Sequence, residues 1–215
     1  CDPGFTYDFD GECITYPANK GVGTVDVFGL TKDVSMEPSG TNEYYDTVMP
    51  HPAFDPGSAV RLEASGGEYA GFTMYGQGVS PVDTLDEVWV VRDAQALEMT
   101  WTPADQEFAH IHIRLNIDQH GNSPVELVCD VPDTGSASIP GELTDALMGF
   151  GITGFPAGQL YRRTIDKVDV ESGCVEFEVY SHLQGNLQVE GHIPCAGPDD
   201  CPEGMECDIP TGTCI

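Results

Sequence analysis

The sequence has few basic residues and no long apolar run. Of its 215 residues, 8 are lysine or arginine and 36 are aspartate or glutamate, which gives a formal net charge of -28. Such a surface repels phosphate groups, so this imbalance argues against nucleic acids and anionic membranes as partners. No apolar stretch reaches the ~18 residues that a membrane-spanning helix needs, so no transmembrane segment is predicted.

Recognisable catalytic motifs are also missing. The sequence contains no G-x-S-x-G nucleophile elbow, no phosphate-binding P-loop and no dinucleotide fingerprint. The glycine-rich run at 149–154 lacks the preceding strand and the following helix that would give it a phosphate-binding role. We therefore predict no catalytic residue and do not expect the chain to be an enzyme.

The C-terminal tail is rich in cysteine and poor in apolar residues. Proline, glycine, aspartate and threonine fill most of the spaces between Cys195, Cys201, Cys207 and Cys214. A segment this short cannot bury a hydrophobic core, so cross-links must replace one. The pattern predicts a two-disulfide knot over residues 195–215 and, with it, an oxidising compartment.

Four further cysteines complete an even set of eight. We predict that Cys1 pairs with Cys13 and closes an N-terminal arm over residues 1–20. A lipid anchor on Cys1 is the alternative, although it would leave one cysteine unpaired. Cys129 and Cys174 lie on or next to predicted strands, and we predict that they form a disulfide across or between sheets.

Short strands separated by turn residues dominate the rest of the chain. The clearest is at 109–118, where isoleucine and leucine alternate with His110, His112 and Arg114. Only residues 139–148 indicate a helix. The pattern predicts an all-β protein with an immunoglobulin-like β-sandwich at 86–194 and a disulfide-rich C-terminal tail. Residues 21–85 form either a small β domain or the first half of the sandwich.

Two histidines on the clearest strand offer a candidate metal site. His110 and His112 are two residues apart and project from the same face, and His120 follows in the next turn. No carboxylate or thiol is spaced to complete the site, and Arg114 on the same face would repel a cation. An exposed polar strand face is therefore preferred, with a copper or zinc site as the alternative.

An acidic segment near the N-terminus offers a candidate calcium site. Asp8, Asp10 and Glu12 resemble the opening of a calcium-binding loop, with Gly11 at the turn. The other ligands of an EF-hand loop are absent, and no flanking helices are predicted. A simple acidic turn is preferred, and a calcium site is the alternative.

Aromatic residues could form a sugar-stacking platform, but a core role is preferred for both tryptophans. Trp in a small sandwich is usually buried, which favours core positions for Trp89 and Trp101.

The excess of carboxylates leads to an expectation about pH. Mutual repulsion should raise the pKa values of many acidic groups and make moderate acidification stabilising.

Several segments carry a family resemblance. They are MTWTP at 99–103, LVCDVPDTGS at 127–136, IP at 139–140, YRRT at 161–164, GTVDVFGL at 23–30 and FDPG at 54–57. Together with the Cys-rich tail, they resemble a β-sandwich module of secreted proteins and lipoproteins in gliding Gram-negative bacteria. The members of this family are mostly of unknown function. The resemblance implies a location at the outer cell surface or in the medium, and it supplies no catalytic residue.

These observations predict a non-catalytic exported protein. We expect it to act as a binding, adhesion or structural assembly module with a protein or glycan partner at the cell surface. Self-assembly through open strand edges is an additional expectation. The alternative function is that of a metal-binding protein, either a calcium-dependent adhesin or a copper or zinc protein.

Overall fold

The computed structural model describes residues 5–7, 11–15, 19–117, 125–171 and 173–215, and strands dominate it. The strands of the N-terminal part are β1 Phe5–Tyr7, β2 Cys13–Thr15, β3 Val25–Phe28, β4 Val34–Met36, β5 Ala59–Ala64 and β6 Phe72–Gln77. Those that follow are β7 Trp89–Val91, β8 Leu97–Thr100, β9 His110–Asn116, β10 Glu126–Pro132 and β11 Ser136–Ile139. The remaining elements are α1 Gly141–Met148, β12 Ala157–Val170, β13 Gly173–Gly185, β14 Leu187–Val189, a 3-10 turn Pro198–Asp200, β15 Cys207–Asp208 and β16 Thr213–Cys214.

The chain divides into two compact units. The N-terminal unit comprises Cys1–Phe54, Ser58–Gly76 and Asp166–Phe177, and the C-terminal unit comprises Asp55–Gly57, Gln77–Ile165 and Glu178–Ile215. The predicted domain boundaries at 20/21, 85/86 and 194/195 differ from this division. Strands β12 and β13 contribute residues to both units, which a boundary drawn along the sequence does not anticipate.

The N-terminal unit contains an antiparallel sheet in the order β4-β3-β5-β6. In β3, Val25 and Val27 are buried while Asp26 and Phe28 are partly exposed, as the alternation of the sequence predicts. β5 occupies the predicted residues 59–64 and lies beside β6. The predicted hairpin across Gly66 and Gly67 is therefore confirmed.

The C-terminal unit is a two-layer sandwich. One layer is a four-stranded sheet in the order β10-β9-β12-β13, and the other consists of the pairs β11-β8 and β14-β7. The layers share a core that includes Trp89, Met99, Ile113 and Leu160, each with 1% exposure or less. The predicted all-β class, with a β-sandwich and a disulfide-rich C-terminal tail, is confirmed.

Trp89 packs against two strands at positions where only glycine fits. A Cβ atom on Gly185 would lie 2.1 Å from the Trp89 ring, and one on Gly158 would lie 2.7 Å from it. Both distances are shorter than any non-bonded contact that a real Cβ atom makes, so the indole ring fills the space where two side chains would otherwise begin. Trp89 and Trp101 are both core residues, as predicted.

A buried ion pair crosses the C-terminal unit. Asp133 accepts hydrogen bonds from Arg162 Nε at 2.8 Å, Trp101 Nε1 at 2.7 Å and the backbone N–H of Ala104 at 3.0 Å. The other guanidinium nitrogens of Arg162 donate to the carbonyl oxygens of Ser80, Pro81 and Thr102. Both charged side chains are 2% exposed. Three segments of the family resemblance therefore meet in one hydrogen-bonded core network.

The C-terminal tail contains the two predicted disulfides. They join Cys195 to Cys207 and Cys201 to Cys214. In the short antiparallel pair β15-β16, Cys207 lies opposite Cys214, so each strand carries one cysteine of a different disulfide. The backbone N–H of Gly154 donates to the carbonyl oxygen of Thr211 at 2.8 Å. The tail is thus hydrogen-bonded to the loop that precedes β12.

The predicted Cys129–Cys174 disulfide is not formed, because both thiols are free. Cys129 belongs to the C-terminal unit and Cys174 to the N-terminal unit. Cys13 is disulfide-bonded, while its predicted partner Cys1 lies outside the described residues.

In the described part of the chain, no helix has both the length and the hydropathy of a membrane span.

Candidate functional site

The outer face of the four-stranded sheet carries a set of polar and aromatic side chains, which we call the polar face. In β9, Ile111 and Ile113 point into the core, so His112 and Arg114 project outward. The strand register places Asp130 of β10 and Tyr161 of β12 on either side of His112. The face therefore presents a continuous row of side chains across neighbouring strands.

Tyr161 is the centre of an aromatic cluster on the polar face. Its ring stacks on that of His182, with centroids 4.6 Å apart and an interplanar angle of 25°. Tyr180 and His112 approach the same ring edge-on, at 5.4 Å and 5.8 Å. Tyr180 is 49% exposed and His182 is also exposed, so the cluster offers aromatic surface to solvent.

Ion pairs surround the aromatic cluster. Asp130 Oδ2 lies 2.9 Å from His112 Nδ1 and also accepts a hydrogen bond from Arg163, which in turn pairs with Glu178. Burial alone would raise the pKa of Asp130. However, the hydrogen bond to His112 and the positive charge of Arg163 outweigh burial and lower it. These contacts fix the side chains in place before any ligand arrives.

A second arginine is held at the edge of the polar face. Arg114 forms a bidentate pair with Glu126, with Nη2 2.6 Å from Oε2 and 2.8 Å from Oε1. The hydrogen bond to Glu126 raises the pKa of Arg114. Arg114 and Arg163 nearly balance the three carboxylates of the face, although the chain as a whole carries a charge of -28. The polar face is thus close to neutral on a strongly acidic protein.

Three carboxyl groups of the described residues have lowered pKa values, opposite to the expected direction. A hydrogen bond from Lys20 lowers the pKa of Glu68, and the backbone N–H of Thr102 lowers that of Asp83. Together with Asp130, all three resolved carboxyl groups are shifted downward. Specific hydrogen bonds outweigh mutual repulsion at these positions.

Within the described ranges, His110 and His112 belong to no group of three potential metal ligands, and the alternative copper or zinc site stays a prediction. His110 and His112 share the polar face, but His112 is bonded to Asp130, with Arg163 at the same carboxylate. The one described group of three potential ligands is Cys195, Cys201 and Cys214, whose sulfur atoms are already in disulfides. His120 and the predicted calcium ligands Asp8 and Asp10 lie outside the described residues, and Glu12 is exposed.

The His112–Asp130 pair resembles part of a catalytic triad, but no nucleophile is among the described contacts of His112. The neighbouring thiol, Cys129, belongs to the opposite face of β10 because adjacent residues of a strand alternate. Burial also raises the pKa of this thiol, which keeps it in the unreactive protonated form. Within the described residues, His112 contacts Asp130 and Tyr161. The pair therefore acts as a positioning contact within the sheet.

Comparisons with known proteins give little further information. No protein-family model matches the chain, and no curated protein sequence is significantly similar to it. Among solved structures, the chain is similar to the FN1–FN3 domains of chicken CNTN1, with 10% sequence identity and a TM-score of 0.25. The match covers 80% of this chain and 60% of that structure, so the chain spans less than two thirds of its length.

Sequence reasoning found one side of the polar face and missed the other. His110, His112 and Arg114 follow from the alternation of β9. Tyr161 and His182 belong to β12 and β13, and their neighbours on the face depend on strand order. The outward positions of Tyr180 and His182, two residues apart in a predicted strand, were the available signal.

Proposed function

We propose that the chain is a non-catalytic, exported binding module that recognises a protein partner through the polar face. The supporting observation is the exposed pair Tyr180 and His182, held against Tyr161 on a rigid sheet. Tyrosine and arginine are enriched where protein interfaces bind most strongly, because they combine apolar area with hydrogen-bonding groups.

Charge also favours this face as the contact surface. A second protein approaching a chain of charge -28 meets the least repulsion where acidic and basic groups nearly balance. Arg114 and Arg163 provide that balance on the polar face. The preformed ion pairs further reduce the conformational entropy that binding must remove from these side chains.

Disulfide use supports the exported location. The two cross-links of the C-terminal tail would be reduced in a cytosolic environment, so an extracellular or outer cell-surface location fits the chemistry. The Cys1–Cys13 disulfide stays a prediction, with a lipid anchor at Cys1 as its alternative, and so does membership of the surface-protein module of gliding bacteria. Membership of that module would place the polar face at the cell exterior.

The proposal can be tested by binding arrays and two tyrosine variants. Wild-type protein is applied to arrays of extracellular proteins and of glycans, and hits are measured by surface plasmon resonance. Tyr180→Ala should weaken binding to a protein hit at least tenfold, which corresponds to about 1.4 kcal/mol. Tyr75→Ala is the matched control, because Tyr75 is 63% exposed on β6 and lies outside the polar face.

Equal effects of the two variants would argue against the polar face. A glycan hit that depends on Tyr180 would keep the face and change the class of partner. Sedimentation velocity on the same variants would show whether the partner is a second copy of the chain. Melting temperatures of all variants confirm that folding is unchanged.

A further inference from the structure

A groove with mainly apolar walls lies beside β14, away from the polar face. Its volume is about 330 Å³, and it is lined by residues 186–189, by Phe155 and Pro156, and by residues 192–194. Asn186 and the three residues of β14 line the groove consecutively. A strand shows consecutive residues to a cavity only along its edge, because its side chains alternate between two faces. The groove therefore runs along the backbone edge of β14.

The backbone groups on this edge are unpaired. β14 is parallel to β7, and the bonds from Trp89 N–H to Asn186 and from Glu190 N–H to Val91 show that the even-numbered residues face β7. The N–H and C=O groups of Leu187 and the N–H of Val189 consequently face the groove. Within the described residues, none of these three groups has a hydrogen-bond partner, whereas the Val189 carbonyl accepts from His192.

The local packing explains why this edge is open. Strand β13 pairs with β12 as far as Gly185, where the Trp89 ring occupies the missing Cβ position, and the chain then pairs with β7 as β14. Pro156, on the opposite wall of the groove, has no N–H to donate. The chain thus leaves its partner strand β12 at the end of β13 and pairs with β7 as β14, and the groove remains between β14 and residues 155–156.

We propose that this groove binds an extended peptide segment of a partner protein, which adds as a strand to the free edge of β14. The three free backbone groups along this edge can form main-chain hydrogen bonds with an extended peptide, as in known cases of strand addition. The exposed side chains of Phe155 and Ile193, at 41% and 36%, would contact apolar residues at alternate positions of the peptide. This site is independent of the polar face and of the function proposed for it.

Charge defines the flanks of the peptide. The groove lining has no acidic or basic residue other than His192, whose Nε2 is 2.8 Å from the Gly154 carbonyl oxygen. Immediately after β14, Glu190 pairs with Arg92 at 3.3 Å, so the attraction for a basic segment comes from the charge of -28 on the chain as a whole. The complementary segment is therefore uncharged in the centre and basic at its ends.

The test uses capped heptapeptides of the form Lys-X-Thr-X-Thr-X-Lys, in which X is valine, isoleucine, leucine or phenylalanine. The expected result is binding of at least one peptide below 1 mM, with slower amide exchange at Leu187 and Val189 measured by NMR. N-methylation of the central residues should abolish binding, because it removes the peptide N–H that donates to the Leu187 carbonyl oxygen.

Two isoleucine variants give a matched comparison. Ile193→Ser removes part of the groove wall and should weaken binding at least tenfold. Ile209→Ser removes an isoleucine that is 60% exposed in the tail and outside the groove, and it should leave the affinity within twofold. Absence of binding by every peptide, retained binding after N-methylation, or equal effects of the two variants would overturn the proposal.

Discussion

Replacing Arg162 with methionine should strongly destabilise the C-terminal unit. The side chains of Arg162 and Asp133 are both 2% exposed, so Arg162→Met leaves a buried carboxylate without its counter-ion. The backbone carbonyls of Pro81 and Thr102 also lose their guanidinium donor. Removing one partner of a buried ion pair typically costs about 3–5 kcal/mol, a large part of the ~5–15 kcal/mol that stabilises an ordinary domain.

Urea unfolding followed by tryptophan fluorescence measures this loss, because both tryptophans are buried in the same core. Arg114→Met is the control on the opposite face of the sheet. It breaks a bidentate pair in which both side chains are more than a third exposed, so its cost should be at most about 1 kcal/mol.

A second substitution separates the effect of charge from that of volume. Adding Asp133→Asn to Arg162→Met removes the uncompensated charge and keeps an oxygen that can accept from Trp101. The double variant should therefore be more stable than Arg162→Met alone. The reasoning is refuted if Arg162→Met costs no more than Arg114→Met, or if the double variant recovers no stability.

Three further predictions concern packing, thiol reactivity and acid stability. Gly185→Ala should cost about 1–3 kcal/mol through overpacking, while Gly197→Ala, which meets no atom within 4 Å, should have little effect on thermal unfolding. Mass spectrometry after maleimide treatment should show rapid labelling of the exposed Cys174, and labelling of Cys129 only in urea, whereas a disulfide between them would prevent both. The lowered pKa of Asp130 means that its contribution to stability is present above pH ~4 and is lost as the pH falls through the folded-state pKa. Melting curves from pH 6 to 3 should therefore depend less on pH in Asp130→Asn than in the wild type.

Local patterns predicted those parts of the fold that depend on neighbouring residues. Alternation placed β3, β5 and β9 within one or two residues, because one face of each strand is buried and the other is not. Cysteine spacing in a segment without a core predicted the cross-linked tail. The helix expected at 139–148 is present as α1.

Such patterns did not predict contacts between residues that are far apart in the sequence. Asp133 and Arg162 are 29 residues apart, and nothing in their spacing indicates that they meet in the core. The incorrect pairing of Cys129 with Cys174 has the same origin, because the sequence does not show that the end of the β12–β13 hairpin belongs to the N-terminal unit. The aromatic cluster likewise required knowledge of strand order.

The path of the chain between its two units has a consequence for inheritance. The chain changes unit after residues 54, 57, 76, 165 and 177, so neither unit corresponds to a continuous stretch of coding sequence. A genetic exchange that moved residues 1–76 alone would leave behind the hairpin segment 166–177. We therefore expect recombination to transmit the two units together, as one heritable module.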